Sequence, residues 1–85
     1  MSDSQNRTRF SLRSPALVNI TIAGNLDDSW SKQLGLSMEK TIIQDDKVVT
    51  ILRGKVLDQA ALFGVLNGLY GLGFPLLSVE CTPLV

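Results

Sequence analysis

Residues 58–81 read DQAALFGVLNGLYGLGFPLLSVEC, and the way this stretch divides decides the fold. From Gln59 to Val79 it carries no charge over 21 residues, long enough to be tested as a membrane span. That reading fails. Gln59, Asn67 and Ser78 dilute the run, Gly71 to Pro75 interrupt it, and its last part alternates like a strand. The division that remains is a helix and then a strand. Asp58 is a natural N-cap, so a helix is expected over Gln59–Leu72, roughly 20 Å long at the standard rise. Gly71 and Gly73 unwind its end, and Pro75 forbids continuation. Leu76–Cys81 then forms a strand, with Leu77, Val79 and Cys81 expected to face inward.

Upstream, the periodicity is that of strands. Leu17–Ala23 alternates, with Val18, Ile20 and Ile22 on one face and Asn19 and Thr21 on the other. Gly24-Asn25 ends it, and Asp27-Asp28-Ser29 is a cluster of cap residues. Trp30–Leu34 is long enough for only a turn or two of helix before Gly35. Leu36–Ile43 and Val48–Val56 make a hairpin about Asp45-Asp46-Lys47. The fold class is therefore α+β. It is either a small ferredoxin-like βαββαβ unit with a reduced first helix, or a βββαβ two-layer sandwich built on a three-stranded meander. Residues 1–14, rich in Ser, Asn, Gln and Arg, are expected to be a disordered N-terminal tail, and 15–85 a single domain.

Composition narrows the function. The 85-residue chain is 45% hydrophobic with a formal net charge of zero. Its length suits one domain, and its apolar content suffices for a core. Arg7, Arg9 and Arg13 against Asp3 leave the tail at +2, so the domain carries −2. A slightly acidic domain is a poor partner for nucleic acid, which needs clustered Lys and Arg. There is no histidine, hence no common general base and no common metal ligand. Cys81 is the only cysteine, which excludes an intrachain disulfide and suits a reducing compartment. The start of the chain has no apolar signal segment. A cytoplasmic location is expected.

The candidate chemistry is sparse. Asp27-Asp28 and Asp45-Asp46 are the only paired carboxylates, and a helix cap and a hairpin turn explain them better than a cation site. Cys81 has no neighbour that would activate a thiol and is expected to be a buried structural residue. Trp30 is expected to plug the end of the sheet. No catalytic residue, metal site or cofactor is expected.

The long helix carries the main signal. Leu62, Val65, Leu66, Leu69 and Leu72 fall on one side at 100° per residue, with Ala61 beside them, and that side should cover the sheet. The opposite side holds Ala60, Gly64, Asn67 and Gly71, flanked by Phe63 and Tyr70, with Gly68 at its edge. Exposed helical glycines each cost about 1 kcal/mol relative to Ala, and they permit close backbone approach. Phe63, Asn67 and Tyr70 form one ridge. An uncharged face of this kind is expected to be covered by a second copy or by another protein. Membrane docking is disfavoured, because the flanking Lys and Arg are missing.

The chain resembles a family of small, functionally uncharacterised bacterial proteins. The match is carried by Gly24-x-Leu26-Asp27-x-x-Trp30 with Gly35-Leu36, by Gly54-x-x-x-Asp58-Gln59-Ala60-Ala61-Leu62-x-Gly64-x-Leu66, and by Leu72-Gly73-x-Pro75-Leu76-Leu77-Ser78-Val79. It covers about residues 16–80 and implies no catalytic residue. Members often carry charge in the second half of this helix, where this chain has Asn67-Gly68-Leu69-Tyr70-Gly71. A second set of residues, Asp58-x-x-x-Leu62, Leu66, Leu69, Gly73 and Ser78-Val79, is similar to the ACT regulatory domains. That similarity implies a small-metabolite site at Asp58 and Gln59. The helix lies in the other half of the fold, however, and the Pro-Gly usual after the Asp is absent. The function expected is a non-enzymatic protein-interaction module, with an ACT-like metabolite-binding domain as the alternative.

Overall fold

The computed structural model describes residues 13–84, and of Ile43 and Gln44 only the backbone. The reading of residues 1–14 as a tail falls almost wholly outside the described residues. Four strands alternate with two helices and a turn: β1 (Ala16–Ala23), α1 (Ser29–Leu34), β2 (Ser37–Ile43), a short 3-10 turn (Gln44–Asp46), β3 (Lys47–Val56), α2 (Gln59–Gly71) and β4 (Leu76–Pro83). The strands form one four-stranded sheet in the order β2-β3-β1-β4, and every neighbouring pair is antiparallel. β3 lies between β2 and β1, so the three-stranded meander is corrected. The tight hairpin fixes β2 beside β3, and the connection through α1 lets β2 pass over β3 to the outside.

Each element follows from local chemistry. Asp58 is extended and its carboxylate accepts the Ala61 N–H at 2.8 Å, capping α2. At the other end Gly73 is left-handed at φ 87°. Its N–H donates to Tyr70 and the Phe74 N–H donates to Leu69, the paired bonds of a Schellman stop. The start of α1 differs from expectation. Asp28 makes no capping bond there, while Asp27 accepts from the Ser29 N–H at 3.4 Å. Asp28 instead pairs with Lys40 at 3.2 Å. The hairpin turn sets both Asp45 and Asp46 at positive φ, a region that Asp enters more readily than most residues.

One face of the sheet carries the core. Ala16, Val18, Ile20 and Ile22 of β1 and Leu52 and Val56 of β3 are buried against Leu62, Val65 and Leu69 of α2. Burying a side chain of this size contributes about 1.5–3 kcal/mol. Trp30, Leu34 and Met38 close the β2 end, with Leu26 and Leu36 beneath them. Thr50 is fully buried among these apolar groups. Its hydroxyl donates to the Gly24 carbonyl at 2.7 Å and accepts the Leu26 N–H at 3.2 Å, tying the β1–α1 loop to β3. The opposite face is open and mixed, as antiparallel sheets tolerate. On it Arg53 pairs with Glu39 at 2.6 Å. Asn19 stands beside Arg53 in the register, and its Oδ1 is enclosed with no hydrogen-bond partner.

Candidate interaction surface

Geometry limits what one long helix can cover. Four strands spaced about 4.8 Å apart span roughly 15–20 Å, whereas a helix with its side chains is about 10–12 Å wide. α2 buries its residues against β1 and β3, and α1 and its loop cover the β2 side. The strip over β4 stays open. Val79 is half-buried against the core, but Leu77 and Cys81 are exposed. The inward placement of Leu77 is thus corrected, and Cys81, though on the α2 side of the sheet opposite Val18, is exposed rather than a buried thiol. Two causes combine. β4 is an edge strand, and its register slips between Thr21 and Ile22, which leaves Leu77 without a partner on β1.

The seven residues singled out on the outer face of α2 are all exposed: Ala60, Phe63, Gly64, Asn67, Gly68, Tyr70 and Gly71. Tyr70 is 83% exposed and Phe63 55%. The structure does not treat them alike. Phe63, Asn67 and Tyr70 line a groove of about 530 Å³ together with Leu66, Leu69, Phe74 and Leu76. No charged residue lines it. Ala60, Gly64, Gly68 and Gly71 stand on the helix outside this groove, and nothing approaches within 4 Å of where a β-carbon would stand on the three glycines. Leu72, placed by the wheel on the core stripe, is 40% exposed, because the helix ends there and turns away through Gly73.

The groove was partly legible. Phe63 and Tyr70 were visible as a ridge, but their companions on the β4 side were not. The missed residues are Leu66, Phe74 and Leu76, and the signal that could have found them is the mismatch of widths between one helix and four strands.

The second candidate, Asp58 with Gln59, lies at the other end of α2. Both line a cavity of about 90 Å³ with Pro15, Val56, Leu62 and Cys81. Known small-molecule pockets run to about 300–1,000 Å³, and the Asp58 carboxylate is already engaged in capping. Asp27, Asp28, Asp45 and Asp46 are accounted for by loop, ion-pair and turn geometry. Among the described residues no three His, Cys, Asp or Glu side chains could share a metal ion, and no helix is long and apolar enough to cross a membrane.

The motif residues explain themselves mostly through the fold. Leu26, Leu36 and Leu62 are core, Asp58 is a cap, and Gly73 is a helix stop. At Gly54 a β-carbon would stand 2.6 Å from Cδ2 of Leu36, so any side chain there would push the buried Leu36 side chain aside. The family model for a domain of unknown function, DUF8691, matches residues 17–80. No curated protein and no solved structure matches the chain.

Proposed function

We propose that this chain, which belongs to the DUF8691 family, is a non-enzymatic interaction module whose partner is a second copy of itself. The observation that carries this is the uncharged groove between α2 and the Gly73–Leu76 segment that leads into β4, with Phe63 and Tyr70 exposed at its rim. A groove of this composition is cheap to bury, since no charge needs desolvation and only the Asn67 amide and the Tyr70 hydroxyl need partners. Full exposure costs the apolar area its hydrophobic stabilisation. A small domain has a thin stability margin, and burial against an identical partner widens it. The absence of histidine from the sequence and the local roles of the acids support a non-enzymatic reading.

The strand order β2-β3-β1-β4 and the element order support a ferredoxin-like layout with a reduced first helix. The alternative, an ACT-like metabolite site at Asp58 and Gln59, has less support, because the cavity there is small and the carboxylate is occupied.

The test is light scattering combined with circular dichroism on the wild type and on Asn67→Arg. A wild-type dimer and a folded, monomeric variant support the proposal. A monomeric wild type that captures a different protein, or that partitions into lipid vesicles, contradicts it.

A further inference from the structure

We infer that the second copy joins along the free edge of β4, antiparallel to it, so that two four-stranded sheets become one of eight strands. This rests on the self-association proposed above and names its geometry. Among the described residues β4 pairs only with β1. The Leu84 N–H donates to the Pro15 carbonyl at 3.0 Å, and the Ala23 N–H donates to the Pro75 carbonyl at 2.9 Å. Backbone bonding alternates along an antiparallel pair. With Leu17 opposite Thr82, Asn19 opposite Glu80 and Thr21 opposite Ser78, those three residues of β4 direct their polar backbone groups to β1. The N–H and C=O groups of Val79 and Cys81 therefore point outward, away from the sheet.

The same two residues carry their side chains on the α2 side, since they oppose the core residues Ile20 and Val18. The free edge and the exposed flank of α2 are thus one surface. Covering it needs a partner with a free strand edge that carries no charge on its helix side, and an apolar shoulder standing above that edge. This chain offers both, and a two-fold axis brings each feature onto its complement. Sheet edges are normally guarded by charged side chains. β4 has one charge, Glu80, and it lies on the open face of the sheet, away from α2. A two-fold axis at Glu80 sets Val79 of each chain opposite Cys81 of the other, pairing the outward backbone groups of these two residues. Phe63 and Tyr70 leave exposed on the order of 250 Å², given typical aromatic areas. An interface of ordinary size takes about 800 Å² per partner, so the two rings, the β4 strip and the groove lining together form its apolar centre.

The edge arrangement predicts slow amides at named positions. Hydrogen exchange of the wild type, followed by NMR at high and low concentration, should show the Val79 and Cys81 amides protected at least tenfold more in the concentrated sample. The amide of Glu39, in the edge strand on the far side of the sheet, should not respond. In this register the two Glu80 carboxylates face each other, so Glu80→Gln should tighten the dimer several-fold. A dimer whose Val79 and Cys81 amides show no concentration-dependent protection overturns the edge pairing while leaving self-association standing. A dimer that Glu80→Gln fails to tighten overturns the register. A chain that is monomeric throughout overturns both the edge pairing and the proposed function.

Discussion

Gly24 and Phe74 meet across the end of the sheet, where a β-carbon on Gly24 would stand 2.9 Å from the Phe74 ring. This contact joins the end of β1 to the loop that follows α2. Gly24 also sits at φ 120°, a conformation that L side chains rarely adopt. Gly24→Ala should therefore destabilise the domain by about 2 kcal/mol or more, through strained backbone and a displaced ring. Urea denaturation measures this, and a loss below about 0.5 kcal/mol would show that the loop relaxes freely.

Asp58→Ala removes the acceptor for the Ala61 N–H. The expected loss is about 0.5–2 kcal/mol. Asp58→Asn or Asp58→Ser, which keep a side-chain acceptor, should recover most of it. An unchanged denaturation midpoint in Asp58→Ala would remove the capping role.

The enclosed Oδ1 of Asn19 has no hydrogen-bond partner, and an unsatisfied buried acceptor costs about 1–3 kcal/mol. Asn19→Val removes it and raises strand propensity. Thermal denaturation should show a more stable protein, by about 1 kcal/mol. A less stable variant would mean that Asn19 has a partner in solution.

The helical glycines give a control for the interface. Gly64 has nothing near the place its β-carbon would occupy, so Gly64→Ala should stabilise the fold by about 1 kcal/mol through helix propensity alone. Because Gly64 lies outside the groove, this change should leave the dimer affinity nearly untouched. A large loss of affinity would move the interface onto the back of the helix.

Much of the fold was legible in the sequence because each signal was local. The Val18-Ile20-Ile22 alternation, the Asp58 cap and the Gly73–Pro75 stop each depend on a few adjacent residues, and the structure keeps them. What failed depended on the neighbours of neighbours. Cys81 alternates correctly with Val79, but whether that face is buried depends on how far α2 reaches across the sheet. Leu77 is the extra residue where β4 slips in register against Thr21 and Ile22 of β1, a bulge that the alternation of its own strand does not mark. Thr50 gave no signal, because its role is set by the Gly24 carbonyl and the Leu26 amide, each more than twenty residues away along the chain. The apolar ridge of Phe63 and Tyr70 was visible, while the groove it borders required β4 to be placed beside it.

The most direct test of self-association through the α2–β4 groove is an NMR dilution series on the wild-type chain. The account predicts concentration-dependent shifts at the amides of Phe63, Leu66, Asn67 and Tyr70 and along Leu76–Cys81, with α1 and β2 unmoved. Spectra that do not change with concentration, or changes confined to α1 and β2, would contradict it.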